Sequence, residues 1–207
     1  MNKIFALTLS AAAAVLLAAS APAHAVLSVD TGTPNGNAIG AFAFDSNDFY
    51  AGQITFAADT TIQDISTHVL NGATGETFTI ALYDDSAAHL PGTALYSATA
   101  TVDANGWNGV SGLIGWNVQA GSYWVGLEIG STDTLGTASL NGVLLDRGVA
   151  TPLAQTAFNS GSGYQATAGL DFGLRVSSVP AVPEPSEILL MLAGLVALVP
   201  VVRKRLK

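Results

Sequence analysis

The chain has 207 residues, no cysteine, 11% charged residues and 22 glycines. Between residues 26 and 182 only Arg147 and Arg175 are basic, against 13 Asp and Glu, a net −11 with no lysine. Such a segment will not hold a phosphate backbone by counterion release, which excludes nucleic acid as a partner. Without cysteine there is neither a disulfide framework nor a thiolate metal site.

Residues 1–25 read as a secretory signal peptide. Lys3 gives the positive start, and Ile4 to Ala19 runs without a charge. Ala23-His24-Ala25 supplies the small-x-small pattern that signal peptidase needs, with cleavage expected between Ala25 and Val26. A permanent transmembrane helix is the alternative, and Pro22 next to the Ala-x-Ala box argues against it.

Residues 26–178 alternate apolar and polar in short runs, with Gly, Asn, Asp and Pro between them. Phe78, Ile80 and Leu82 share one strand face. Tyr123, Val125, Leu127 and Ile129 share another, with Trp124 and Glu128 on its reverse. Leu170 to Val176 alternates in the same way, with Asp171 and Arg175 outward. Further strands are expected near 39–44, 49–57, 61–70, 93–102, 112–118 and 138–145. Turns are expected at Asn71-Gly72, Pro91-Gly92, Asn105-Gly106, Ala120-Gly121, Asn141-Gly142 and Ser160-Gly161-Ser162-Gly163. No segment sustains a 3.6-residue apolar stripe. The pattern predicts an all-β domain: an antiparallel β-sandwich or jelly roll of eight to ten strands.

Chemistry-bearing residues are few in this region. His68 falls on a predicted strand face with Ser66 and Leu70, where a sheet-surface role fits better than a catalytic base. Ser86, His89 and Asp85 are close enough in sequence that their proximity says nothing of a triad. The Gly-x-Ser-x-Gly elbow is absent. The expectation is a protein without catalytic turnover. Asp84 and Asp85, with Asp103 or Asp171, are candidate oxygen ligands for calcium, but EF-hand spacing is absent and solvated acidic loops are common. No other cofactor is indicated. Sugars stack on exposed flat rings. Trp116 shares a predicted face with Ile114 and Val118 and reads as core. Trp107, in a predicted turn, and Trp124, exposed or under a loop, are the candidate glycan contacts. The alternative is that all three indoles are covered.

Residues 179–187 form an extended Pro-rich linker, since each proline fixes its own φ and keeps the preceding residue out of the helical region. Residues 188–202 are apolar throughout, and Arg203-Lys204-Arg205-Leu206-Lys207 follows as a basic cytoplasmic tail. These 15 residues fall short of the ~20 of a comfortable span, a gap that snorkelling cations and local thinning can close. The tail orients the helix by the positive-inside rule, with the domain outside the cytoplasm.

Val182-Pro183-Glu184-Pro185-Ser186, followed by an apolar helix and a basic cluster, resembles the PEP-CTERM sorting domain of Gram-negative bacteria, over about residues 180–207. The resemblance implies processing by exosortase, a membrane protease-transpeptidase, and delivery to the cell surface or extracellular polymer layer. Two departures stand out. Glu187-Ile188 replaces the Thr-aromatic pair common in that family, and Pro200 interrupts the helix. An ordinary anchor with a proline-rich stalk is the plainer alternative. The segments Leu82–Ser97 and Ala120–Val125 look similar to β-sandwich passengers found upstream of this signal. The expected function is a non-catalytic structural or adhesive protein of the envelope or exopolysaccharide matrix. Its expected partners are signal peptidase, exosortase, the membrane and extracellular polysaccharide. The alternative is a carbohydrate-binding module exported by the same route.

Overall fold

The computed structural model describes residues 24–33, 44–136, 153, 155–168, 170 and 172–180. Eleven strands and no helix are formed among them. In chain order they are β1 (Val26–Asp30), β2 (Phe49–Phe56), β3 (Thr60–Val69), β4 (Thr77–Asp85), β5 (Pro91–Thr101) and β6 (Gly106–Val110). There follow β7 (Asn117–Val118), β8 (Gly121–Glu128), β9 (Thr156–Asn159), β10 (Gln165–Ala166) and β11 (Leu174–Pro180).

The strands form two antiparallel sheets. One runs β1-β11-β3-β6, with the short β7 also on β3; the other runs β10-β9-β2-β8-β4-β5. Their inner faces share one core. Ile62, Ile65 and Val69 of β3 and Leu174 and Val176 of β11 meet Tyr50, Ile54, Phe78, Ile80, Leu82, Val125 and Leu127 of the second sheet. The all-β expectation therefore holds, as two packed sheets, the arrangement that lets each bury its apolar face. Phe78, Ile80 and Leu82 are fully buried on one face of β4, as their alternation requires.

Three details depart from the sequence reading. The expected strand 112–118 is reduced to β7, because Gly112 and Gly115 both have positive φ (67° and 79°) and break the extended run. Ile114 between them is 93% exposed, while Trp116 turns inward and stacks on Tyr96 at 5.2 Å. Trp107, expected in a turn, belongs to β6 and pairs with His68 of β3. This close strand pairing needs Gly109, where a Cβ would sit 2.1 Å from the Ile65 carbonyl oxygen. Finally, Val26–Asp30 is an edge strand, and β11 runs on to Pro180, past the expected domain end at 178.

Of the remaining expectations, the strand near 138–145 and all of 39–44 but the buried Phe44 lie outside the described residues. So do Ala23, Asp171, the sorting motif Val182–Ser186, the apolar block 188–202 and the basic tail.

Candidate functional site

The outer face of the six-stranded sheet carries the richest polar and aromatic cluster among the described residues. Alternation on β8 sends Trp124, Gly126 and Glu128 outward while Val125 and Leu127 enter the core. On β2, Ala51 and Gln53 face the same way, and on β4 Tyr83 and Asp85 do so. Trp124 is fully buried, packed with Ala51 and Ala157 beneath Tyr83, Leu90 and Tyr164.

Asp85 organises one end of the cluster. Its Oδ1 accepts from Trp124 Nε1 at 2.8 Å and from Gln53 Nε2 at 3.0 Å. Its Oδ2 lies 3.0 Å from His89 Nδ1. Burial opposes the Asp85 charge, but the hydrogen bonds from Trp124, His89 and Gln53 outweigh it, so the carboxyl lies below its usual range. The loop that delivers His89 is closed by the Ser86 N–H, which donates to the Leu90 carbonyl, while the His89 N–H donates to the Ser86 carbonyl. His89 itself takes a positive φ of 53°.

Glu128 organises the other end. Its Oε1 accepts from Tyr83 Oη at 2.5 Å and from Tyr164 Oη at 2.6 Å. The two tyrosine rings meet edge to face at 6.0 Å. Burial raises both phenols above their usual range, and the Glu128 carboxylate raises them further. Gly126 is the floor: a Cβ there would meet Tyr83 Cε2 at 2.8 Å and Tyr164 Oη at 3.2 Å. Asn159 Oδ1 accepts from the backbone of Gly161 and Gly163, shaping the turn that brings Tyr164 back over the sheet. Chemically this is a set of phenols that keep their protons and hand hydrogen bonds to one carboxylate. It binds the surface together and supplies no proton at neutral pH.

Trp124 is under the loop and offers no ring face to solvent. Trp107 is half-buried on the outer face of the other sheet. The Arg175 guanidinium lies 3.9 Å above its ring, and His68 meets it edge to face at 5.5 Å. Arg175 Nε also reaches Asp30 Oδ1 at 3.1 Å. Trp116 is core, as expected. Asp84 and Asp85, neighbours in a strand, are held apart: Asp84 Oδ1 accepts from the Thr93 backbone N–H, and Asp85 serves Trp124. No group of three or more His, Asp or Glu that could hold a metal ion is gathered among the described residues. Asp85 and His89 do pair, whereas Ser86 Oγ accepts from the Leu90 backbone N–H. Ala25 and Val26 are exposed at the start of β1.

Tyr83, Tyr164, Glu128 and Gln53 were not singled out by the sequence. One signal was present: a glycine at 126, between outward Trp124 and Glu128, marks a place where another group approaches the strand closely. No protein-family model matches the chain, and no curated protein matches it significantly.

Proposed function

We propose that the chain is an exported, surface-sorted β-sandwich protein with a structural or adhesive role in the envelope or exopolysaccharide matrix, without catalytic turnover. The observation that carries this reading is Val182-Pro183-Glu184-Pro185-Ser186 in register with the apolar block 188–202 and the basic run after it. Two prolines keep the motif extended, so little conformational entropy is lost when an enzyme grips it. Glu184 sets one carboxylate between them for a cationic pocket. The outer-face cluster fits a scaffold role, because its donors and acceptors satisfy one another. In this reading signal peptidase cuts between Ala25 and Val26, and exosortase acts near Pro183-Glu184-Pro185.

The test is Glu184→Gln, which keeps shape and extension and removes the charge, alongside Pro183→Ala. In a host that carries an exosortase, both variants should accumulate in the inner membrane with residues 188–207 attached, by fractionation and intact mass. Release of both variants as efficiently as wild type would reduce the motif to a spacer.

A second reading, a carbohydrate-binding module, is favoured by half-buried Tyr83 and Tyr164 beside Glu128 on one sheet face. Aromatic edges next to a carboxylate suit a polyol, and a glycan array separates this reading from the first.

A further inference from the structure

We propose that the end of the sandwich from which the chain leaves toward residue 188 is a membrane-docking surface, with Ile114, Val26 and Leu27 set into the lipid interface. The proposal rests on reading 188–202 as a membrane helix.

Strand register locates that end. Pro180, the last residue of β11, pairs with Thr60, and Thr60 also pairs with Val118. Val26 pairs with Ser178, which pairs with Ile62. Leu113 donates to the Gln63 carbonyl and Trp116 accepts from Ile62, so Ile114 is held at the same level on the opposite sheet edge. Three of the four large apolar side chains exposed among the described residues are thereby gathered near this end: Ile114 at 93%, Val26 at 60% and Leu27 at 48%. The fourth, Leu95, lies midway along β5. Small exposed residues fill in around them, with Ala57 and Ala58 in the β2–β3 turn and Ala120 before β8.

Charge is distributed the opposite way. Asp45, Asp48, Glu76, Asp103 and Asp133 sit by the starts of β2 and β4 and the end of β5, at the far end of the strands. Near the exit are Asp59, whose Oδ1 accepts from Ala120 N–H, Asp64, whose Oδ1 accepts from Gly112 N–H in the Ile114 loop, and the Asp84–Asp85 pair already engaged by Thr93 and Trp124. An orientation with the exit end down keeps most carboxylates away from lipid headgroups.

Tether length decides between a free domain and a docked one. Ile188 follows Pro180 by eight residues, at most about 26–29 Å of extended chain. A tether this short holds the exit end beside the bilayer at an effective concentration of roughly millimolar order. A contact too weak to recruit a free domain is then well populated. Ile114, on a loop between two glycines of positive φ, has no packing role in the sandwich that would explain an isoleucine. Insertion of an apolar side chain by about 5–10 Å into the headgroup boundary does explain it.

The absence of native cysteine makes single-site labelling clean. In the chain from Val26 to Lys207, Gln119→Cys, at the exit end, and Ser162→Cys, at the far end, are labelled with a polarity-sensitive fluorophore and reconstituted in phosphatidylcholine vesicles. Brominated acyl chains should quench the label at 119 several-fold more than at 162. Ile114→Asp, a change at an exposed site, should bring position 119 down to the level of 162 while circular dichroism stays unchanged. Equal quenching at both sites, or no effect of Ile114→Asp, overturns the docking surface and leaves the anchor standing. Failure of the chain from Val26 to Lys207 to float with vesicles overturns the anchor and, with it, this surface. A signal that follows protein density and survives in detergent shows a second copy on this end, and overturns the lipid assignment.

Discussion

Trp124 and Asp85 hold each other across the neighbouring strands β8 and β4: a fully buried indole has its N–H satisfied by one carboxylate oxygen at 2.8 Å. Trp124 lies opposite Tyr83, so Asp85 is its diagonal neighbour on the same face, within reach of a long side chain. The relationship joins a strand end, a loop and the outer face of the sheet.

Removing that acceptor strands a buried donor. Asp85→Ala should destabilise a fragment of residues 24–180 by about 1–3 kcal/mol, the cost of an unsatisfied buried polar group. Urea unfolding followed by tryptophan fluorescence measures it. An unchanged midpoint would mean that water replaces the carboxylate.

The same carboxyl gives acid sensitivity. Asp85 is held below its unfolded value, so its contribution is complete above the unfolded pKa of about 3.9 and is lost as pH falls through the lower folded value. Asp85→Asn should flatten the acid limb of the stability profile. At the alkaline end the sign reverses. Tyr50, Tyr83 and Tyr164 are raised by burial first, so stability is full below the unfolded tyrosine pKa of about 10 and falls as pH rises beyond it. Tyrosinate absorbance of these three should appear together with unfolding, and its earlier appearance would refute their burial.

Gly126→Ala tests the floor of the Glu128 cluster. The new methyl would overlap the Tyr83 ring edge at 2.8 Å. The expected loss is about 1–3 kcal/mol, the usual range for overpacking, with the Tyr83–Glu128–Tyr164 hydrogen bonds disturbed. The pair Gly126→Ala with Tyr83→Phe should be less than additive, because both act on one ring.

Arg175→Ala should uncover the face of Trp107 and free Asp30, costing about 1 kcal/mol and raising acrylamide quenching of tryptophan. Arg175→Lys should retain part of the stability and little of the ring coverage, since only the planar guanidinium stacks.

Net charge sets the response to salt. Thirteen acidic residues against two arginines in 26–182 repel one another most at low ionic strength. Adding about 0.2 M NaCl shortens the screening length to below about 8 Å and should leave the stability of the fragment unchanged or raised. A clear loss would show that attractive pairs such as Asp30–Arg175 outweigh the repulsion.

The strands with strict alternation were legible in the sequence. Phe78-Ile80-Leu82 and Val125-Leu127 face the core because a period of two leaves no other face for them. The 112–118 stretch misled for the same reason: Ile114, Trp116 and Val118 alternate, yet two glycines of positive φ between and before them prevent a continuous strand. Gly106-Trp107-Asn108-Gly109 looked like a turn by composition, and becomes β6 because its second glycine admits the β3 backbone. The outer-face cluster was the least legible. Glu128 and Tyr164 are 36 residues apart in the chain, and no local pattern announces that one turn will fold back over a strand. Asp85 read as a candidate calcium ligand, because sequence cannot tell which donors will reach a carboxylate first.

The pairing of β1 with β11 carries a consequence for how the molecule is made. Ser28 and Ser178 are 150 residues apart and share a hydrogen bond, and β11 lies between β1 and β3 in the sheet. Synthesis delivers β1 first and β11 last. The amino-terminal strand therefore has no partner until nearly the whole domain is available, and β3 lacks one neighbour for as long. Such distant pairing delays closure of that sheet and places the molecule among the slow folders, on the scale of about milliseconds to seconds. Its open edges in the meantime are where aggregation would begin, and they are also where a chaperone would have something to hold.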